Sequence, residues 1–229
     1  MRIFITGIKG QLGSDLARRA SQSHEVSGGD LPEFDITDLA QVRAALAVAR
    51  PDGVLHCAAM TDVDGAARQP DLAYRVNGLG TQNVALACAE VGAAMLYVSS
   101  NEAFDGKKSE PYREFDSTNP INPYAYSKLA GEWFTQHLLS RFYIVRTSWL
   151  FGVHGPNFVD AIRNQIRKGT NPLRVVSDQR GRPTFTPHLA RAIVRLVAQS
   201  AQGIVHYADV DECSWYDFAG TIFAMAGVK

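Results

Sequence analysis

The fold class is decided by the opening of the chain, which reads Arg2-Ile3-Phe4-Ile5-Thr6-Gly7-Ile8-Lys9-Gly10-Gln11-Leu12-Gly13. Its first part is rich in β-branched and aromatic residues and predicts a strand, and a helix is predicted over Gln11 to Ala20. A glycine-rich turn between a strand and a helix lets the backbone approach a pyrophosphate, which the free N–H groups of the helix then face. The opening therefore favours dinucleotide binding over a purely structural turn.

An acidic residue closes the second predicted strand, which covers Glu25 to Gly28. Asp30 lies 17 residues beyond Gly13, near where an acid would accept hydrogen bonds from the adenosine ribose; the alternative is a solvated loop acid. No Lys or Arg lies between Glu25 and Gln41, and an acid here would repel a 2′-phosphate. We therefore expect NADH or NADPH as coenzyme with NADH preferred, Lys9 being the one nearby cation that would accommodate NADPH.

The rest of the chain alternates predicted strands and helices. Such alternation predicts an α/β fold with a Rossmann-type, doubly wound parallel sheet. After residue 150 the pattern loosens into Gly, Pro and Asn punctuation, so we expect a dinucleotide-binding domain over 1–150 and a smaller substrate lobe over 151–229, some of whose segments return to the Rossmann core. Further strands are predicted over Gly53 to Cys57, Ala94 to Ser99 and Phe142 to Thr147, and helices near Leu39 to Ala49 (with Asp35 and Thr37 as capping candidates), Phe158 to Lys168, Pro187 to Gln199 and Trp215 to Ala226.

Composition narrows the possible partners and compartment. The 229 residues carry 23 Lys and Arg against 23 Asp and Glu, so the long-range attraction that favours nucleic acid or anionic membrane surfaces is missing. No apolar run approaches the ~18 residues of a membrane span, and no signal-peptide core is found at the start. Three widely spaced cysteines indicate reduced thiols, and six scattered histidines disfavour a protein-bound metal. A cytoplasmic location is expected.

A tyrosine and a lysine share one face of a predicted helix. Tyr124 is the only one of the eight tyrosines with a lysine four residues later, Lys128. An ammonium close to a phenol lowers the phenol pKa from ~10, which suits proton transfer to a carbonyl oxygen at neutral pH. Ser100, at the end of a predicted strand, would give that oxygen a second hydrogen bond, unless its hydroxyl only satisfies local backbone groups.

Taken together, the motifs resemble those of the dTDP-4-dehydrorhamnose reductase family within the extended short-chain dehydrogenase/reductase superfamily. The resemblance spans nearly the whole chain. The matching segments are Gly7-x-x-Gly10-Gln11-Leu12-Gly13, Arg50-Pro51-Asp52, Ala58-Ala59-Met60-Thr61-Asp62-Val63-Asp64, Val76-Asn77, Phe104-Asp105-Gly106, Arg146-Thr147-Ser148-Trp149, Asn157-Phe158, Asp178-Gln179-Arg180-Gly181-Arg182-Pro183-Thr184 and Trp215-Tyr216-Asp217-Phe218.

This resemblance implies a role for each site residue. Tyr124 would be the catalytic acid, Lys128 would orient the coenzyme ribose and lower the pKa of the tyrosine, and Ser100 would take the place of the family's Ser or Thr. The coenzyme would be lined by Gly7, Gly10, Gln11, Leu12, Asp30, Asp35, Ile36, Ala58, Ala59, Thr61 and Ser99 together with Tyr124 and Lys128. The nucleotide-sugar would be faced by Val63, Glu102, Trp149, Asn157, Gln179 and Thr184.

Three departures from the family pattern stand out. Ser99-Ser100-Asn101-Glu102 replaces the usual Ser-Thr-Asp-Tyr, which alters the wall beside the sugar. His56 replaces a common Asn on the coenzyme side of the third strand, as a core substitution. The family also continues beyond the point corresponding to Lys229, which implies that the substrate lobe is incomplete at its C-terminal end.

The favoured activity is NAD(P)H-dependent reduction of the C4 keto group of a nucleotide-linked deoxysugar. Two alternatives remain open at this stage: a nucleotide-sugar epimerase or dehydratase with tightly bound NAD, and a non-catalytic NAD(P)-binding regulatory subunit. The intact Tyr124 and Lys128 count against the regulatory subunit. The partner would be the nucleotide-sugar substrate, with a homodimer as the candidate assembly.

Overall fold

The central element is a six-stranded parallel sheet with strand order β2-β1-β3-β4-β5-β9. The computed structural model describes residues 1–170, 172–199 and 202–227. The strands are β1 (Arg2–Thr6), β2 (Glu25–Gly29), β3 (Gly53–His56), β4 (Ala94–Ser100), β5 (Phe142–Thr147), β6 (Leu150–Phe151), β7 (Arg180–Gly181), β8 (Thr184–Phe185), β9 (Gly203–His206) and β10 (Cys213–Ser214).

Helices connect the strands. The α-helices are α1 (Gln11–Ala20), α2 (Leu39–Ala49), α3 (Val63–Arg68), α4 (Pro70–Ala73), α5 (Thr81–Val91), α6 (Pro123–Leu138), α7 (Phe158–Arg167), α8 (Thr186–Val197) and α9 (Trp215–Met225); Tyr74–Gly80 is a π-helix and Asn101–Ala103 a 3-10 turn. None of the helices in the described ranges is long and apolar enough to cross a membrane.

Both faces of the sheet are covered, because successive strand residues point to opposite sides. On one face Phe4 and Ile144 pack with helices α2, α5 and α6. On the other face Ile5 and Leu96 pack with α1 and α8, where Leu16 is fully buried. The predicted parallel, doubly wound architecture is confirmed.

The five strands predicted from sequence are all present. The sixth, β9, was not predicted, and it extends the sheet beyond β5. The predicted capping residues of α2 are wrong: Asp38 caps the helix, since its carboxylate accepts from the N–H groups of Ala40 and Gln41 at 2.9 and 3.2 Å. Asp35 instead accepts from the Thr37 N–H at 2.8 Å and holds the preceding loop.

The segment after residue 150 contributes to two regions. Helix α8 packs on α1, and β9 joins the main sheet. Helices α7 and α9 instead form a separate small core around Ile162, Ala219 and Ile222. Two short strand pairs, β6 with β8 and β7 with β10, accompany them. The domain boundary at residue 150 stays a prediction.

Candidate active site

A cavity of about 850 Å³ runs along the carboxyl ends of the parallel strands. Strand β1 lies between β2 and β3. The connection from β1 runs to β2 on one side, and the following strands β3, β4 and β5 are added on the opposite side of β1, so the direction of winding reverses there. Ligands of doubly wound proteins bind at such a switch point. The glycine loop lines one part of this cavity, and Tyr124, Lys128 and Ser100 line another.

The glycine loop is tightly folded against strand β3. Gly7 has a φ of +70°, and a Cβ added there would lie 2.8 Å from the backbone nitrogen of Ala58. A Cβ on Gly13 would lie 2.0 Å from the Gly7 carbonyl oxygen. Both positions therefore require glycine.

The start of α1 offers hydrogen-bond donors to the cavity. Gly10 precedes the helix and provides no side-chain cap. The amide nitrogen Nε2 of Gln11 is buried and has no partner among the described residues. Free donors at a helix N-terminus beside a glycine turn fit the pyrophosphate of NAD(P), so these residues would hold the coenzyme there.

Asp30 is already engaged by the backbone around it. Its carboxylate accepts from the N–H groups of Lys9 and Leu31 at 2.8 and 2.9 Å. The Lys9 ammonium lies 3.0 Å from a Glu33 carboxylate oxygen, and both side chains are exposed. The predicted cation near the ribose is thus paired with an acid, and the preference for NADH stays a prediction.

All thirteen predicted coenzyme residues line the cavity. Ser99 is a special case, because its hydroxyl donates to Glu132 Oε1 at 2.5 Å and therefore has no proton left to donate to a ligand. The predicted residues that line the cavity are Gly7, Gly10, Gln11, Leu12, Asp30, Asp35, Ile36, Ala58, Ala59, Thr61, Ser99, Tyr124 and Lys128.

The predicted sugar-binding residues divide into two groups. Val63, Glu102 and Trp149 line the cavity. Three others lie outside its lining: Asn157 caps α7, accepting from the Asp160 N–H at 3.2 Å, Thr184 is fully buried in strand β8, and Gln179 is exposed. Asn157, Gln179 and Thr184 do not line this cavity, and their role in binding the nucleotide-sugar stays a prediction.

Trp149 has an unusual backbone conformation. Its φ is +50°, and its ring stacks on Trp215 with ring centres 3.6 Å apart. A Cβ added to Gly181 would lie 2.6 Å from the Trp149 ring. The aromatic pair therefore depends on a glycine behind it and forms one wall of the cavity.

Helix α6 presents Tyr124 and Lys128 to the end of strand β4. The helix begins at Pro123 after Asn122, whose Oδ1 accepts from the Ala125 N–H at 2.8 Å. The Lys128 ammonium donates to the Val98 carbonyl at 2.8 Å. Burial lowers the pKa of Lys128 to about 8.

The predicted lowering of the Tyr124 pKa is wrong for this structure. Burial, followed by the nearby Glu102 carboxylate, raises the pKa of Tyr124 to about 12, while hydrogen bonding with Ser100 acts in the opposite direction. The Lys128 ammonium is bound to the Val98 carbonyl, and the cost of burying a phenolate dominates. The phenol is therefore protonated at neutral pH, which is the form that donates a proton.

Glu102 is held at the cavity by the residue that caps α6. The Asn122 amide donates to Glu102 Oε2 at 2.6 Å, and the Glu102 N–H donates to the Ser100 hydroxyl at 3.2 Å. These bonds fix the turn after strand β4. The carboxylate that replaces the family's usual tyrosine thus has a defined position beside Tyr124.

A buried ion pair behind the site was not predicted. Arg146 on β5 donates to both carboxylate oxygens of Glu132, at 2.9 and 2.7 Å, and their side chains are 4% and 1% exposed. Glu132 lies two helical turns beyond Tyr124 and also accepts from Ser99. The pair joins α6, β4 and β5 beneath the cavity.

His56 lies in the protein core, between two threonine hydroxyls. Its Nδ1 is 2.6 Å from Thr6 Oγ1 and its Nε2 is 2.9 Å from Thr81 Oγ1. Because Thr81 donates to the Asn77 carbonyl, the imidazole Nε2–H donates to Thr81 and Nδ1 accepts from Thr6. This pattern needs a neutral ring, and burial lowers the pKa of His56 to about 3. The substitution is a core residue, as expected, but its ring does not line the cavity.

Some cavity residues escaped sequence reasoning. Thr147 is the last residue of strand β5 and Ser148 follows it, while Cys57 follows β3. A search of residues at the carboxyl ends of adjacent parallel strands would have found them. The additional residues include Leu31, Phe34, Cys57, Leu72, Arg75, Thr147, Ser148 and Trp215.

Comparison with known protein families identifies the family of this chain. The family model of the RmlD substrate binding domain matches residues 1–229. The chain belongs to this family. Among RmlD relatives, the spore coat polysaccharide biosynthesis protein SpsK of Bacillus subtilis is 37% identical, over all of this chain and 80% of that protein.

Two further relatives carry a named activity. The dTDP-4-dehydrorhamnose reductase of Streptomyces griseus is 39% identical, over 99% of this chain and 76% of that protein. A crystal structure of the Bacillus anthracis dTDP-4-dehydrorhamnose reductase in complex with NADP superimposes with a TM-score of 0.94 at 40% identity, over all of this chain and 81% of that chain. The RmlD fold is therefore shared across the whole described core.

Proposed function

We propose that this protein is an NAD(P)H-dependent reductase that converts the C4 keto group of a nucleotide-linked deoxysugar to an alcohol. One observation carries the proposal: a single cavity joins the glycine loop to Tyr124, Lys128 and Ser100. The names of the RmlD relatives, two of them dTDP-4-dehydrorhamnose reductases, support the substrate class.

The residues of α6 and β4 have distinct roles in this reaction. The bound coenzyme supplies the hydride. Tyr124 protonates the developing alkoxide, and its raised pKa keeps the phenol in the donating form. Ser100 gives the same oxygen a second hydrogen bond, and Lys128 places a positive charge beneath it.

Recognition of the two ligands is divided along the cavity. Gly7, Gly10, Gln11 and Leu12 bind the pyrophosphate, and Asp30 faces the adenosine ribose. The walls around the coenzyme are formed by Asp35, Ile36, Ala58, Ala59, Thr61 and the Ser99 backbone. Val63, Glu102 and Trp149 contact the nucleotide-sugar from the cavity wall. Asn157, Gln179 and Thr184 lie outside that wall, and the family resemblance alone supports their contact with the nucleotide-sugar.

The site lacks a residue that dehydration of the sugar would require. Asn101 replaces the aspartic acid that would act as acid in such a reaction, and an amide has no proton to donate at neutral pH. Glu102 could serve as the base for elimination of water, but the acid of the pair is missing. The intact Tyr124 and Lys128 likewise disfavour a non-catalytic regulatory subunit.

The decisive experiment supplies a panel of 4-keto nucleotide-sugars with NADH or NADPH and follows absorbance at the wavelength of the reduced coenzyme. Substrate-dependent loss of absorbance is expected. Release of a 4-keto-6-deoxy product from dTDP-glucose or GDP-mannose, without consumption of added NAD(P)H, would overturn the reductase assignment.

The organisation of the chain follows from these roles. Residues 1–150 bind the coenzyme, and residues 151–229 mainly form the substrate lobe, with α8 and β9 returned to the Rossmann core. Limited proteolysis with and without NADH would test whether cleavage between the two parts is coenzyme-dependent.

The working environment is proposed to be the cytoplasm. Cys57, Cys88 and Cys213 are all free thiols, as expected where disulfides are kept reduced. A homodimer is the proposed assembly, because Tyr126 and Trp133 on α6 are 59% and 54% exposed and large exposed apolar side chains favour contact surfaces. Light scattering after gel filtration would measure the assembly.

A further inference from the structure

One cavity hydroxyl has no function in the reaction described above. Three buried side-chain polar atoms lack a hydrogen-bond partner among the described residues: Gln11 Nε2, His24 Nδ1 and Thr147 Oγ1. Gln11 and Thr147 both line the coenzyme cavity. Gln11 belongs to the pyrophosphate loop, whereas no role accounts for Thr147, a residue that is almost fully buried at 6% exposure.

The sheet places Thr147 directly beside the catalytic serine. In the parallel pairing of β4 with β5, Ser100 is opposite Thr147 and Ser99 is opposite Arg146. Ser99 and Arg146 both point to the α6 side, where they meet Glu132. Because alternate residues of a strand point to opposite faces, Ser100 and Thr147 both leave the other face and reach the cavity together.

A buried hydroxyl without a partner costs free energy, so its retention needs an explanation. In the proposed reaction, Tyr124 and Ser100 already hydrogen-bond the substrate oxygen. Hydride transfer requires the reactive carbon of the nicotinamide ring to approach the carbon that bears this oxygen. The carboxamide is attached to the neighbouring ring carbon and carries both donors and an acceptor. A hydroxyl next to Ser100 could therefore donate to the carboxamide oxygen or accept from its NH₂ group.

We propose that the Thr147 hydroxyl hydrogen-bonds the nicotinamide carboxamide and thereby fixes which face of the ring meets the sugar. The inference rests on the proposed function, since it requires a nicotinamide coenzyme in this cavity. It assigns Thr147 as a coenzyme-binding residue at the hydride-transfer end, separate from the pyrophosphate loop.

The test replaces the hydroxyl with a methyl group of nearly the same size, in Thr147→Val. Binding of NADH and of ADP-ribose, which lacks the nicotinamide, is measured by titration calorimetry, and the melting temperature of the free protein is recorded. We expect NADH to bind roughly fivefold to tenfold more weakly, with ADP-ribose affinity unchanged. The free protein should melt at the same temperature or higher, because the lost hydroxyl has no partner.

Two variants serve as controls. Thr147→Ser keeps the hydroxyl and should retain most of the NADH affinity. Thr135→Val removes another buried hydroxyl, one that bonds its own helix at the Gly131 carbonyl and does not line the cavity. This second control should leave both affinities unchanged while it lowers the melting temperature.

The outcomes separate this inference from the proposed function. Unchanged NADH affinity in Thr147→Val, or equal weakening of NADH and ADP-ribose, would overturn the carboxamide assignment alone. Weaker binding of a nucleotide-sugar with unchanged NADH affinity would assign the hydroxyl to the substrate and likewise overturn it. If the wild-type protein bound neither NADH nor ADP-ribose, the proposed function and this inference would both be refuted.

Discussion

The buried ion pair beneath the active site leads to a quantitative prediction. Glu132→Gln leaves the Arg146 guanidinium, 4% exposed, without its carboxylate. Breaking a buried pair in this way costs about 3–5 kcal/mol. For a chain of this size each kcal/mol lowers the melting temperature by about 2–4 °C, so we expect a melting temperature roughly 6–20 °C lower.

A matched surface pair provides the control. Arg43 also contacts both carboxylate oxygens of a glutamate, Glu90, but the side chains are 49% and 47% exposed. Water screens such a pair, so Glu90→Gln should change the melting temperature little. Adding Arg146→Met to Glu132→Gln removes the unpaired charge and should recover part of the loss. The assay is thermal unfolding followed by circular dichroism, and equal shifts for Glu132→Gln and Glu90→Gln would refute the reasoning.

Four further predictions follow from the site and the core. Tyr124→Phe should lower kcat by at least ~100-fold with coenzyme affinity unchanged, whereas Tyr126→Phe, on the exposed side of the same helix, should not; near wild-type turnover in the first variant would remove Tyr124 from the mechanism. Stability should fall as pH drops below about 6.5, by up to about 1.4 kcal/mol per pH unit, because the unfolded chain protonates His56 while burial holds its folded pKa at about 3. Urea unfolding of His56→Asn at pH 7, 6 and 5 should lack this component, and an identical pH dependence would contradict it. NADH should be preferred over NADPH, because a carboxylate at Asp30 would repel the 2′-phosphate of NADPH; competitive titration would contradict this preference if NADPH bound tenfold tighter. Glu102→Gln should weaken nucleotide-sugar affinity without affecting coenzyme affinity, and unchanged sugar affinity would remove its carboxylate from substrate recognition.

Some features of the site depend only on residues that are close together in the sequence. The spacing of Tyr124 and Lys128 places both on one helical face wherever the helix forms. The glycine loop is specified locally as well, because Gly7 needs a positive φ and Gly13 a close backbone approach. These features could be predicted because sequence neighbours decide them.

Other features of the site depend on contacts between segments that are distant in the chain. The pKa of Tyr124 depends on burial and on Glu102, which comes from another element. The positions of Asn157 and Thr184 depend on the helix that one caps and the strand pair that buries the other. No local pattern contains this information.

The sequence by itself determined the first five strands, the parallel fold class and the residue types at both ends of the cavity. Periodicity, turn glycines and spacing within one helix are sufficient for these. Only the tertiary structure decided the addition of β9, the Glu132–Arg146 pair, the threonine partners of His56 and the placing of Thr147 beside Ser100. Each of these joins segments distant in the chain, and the packing and desolvation that produce them exist only when the sheet has assembled.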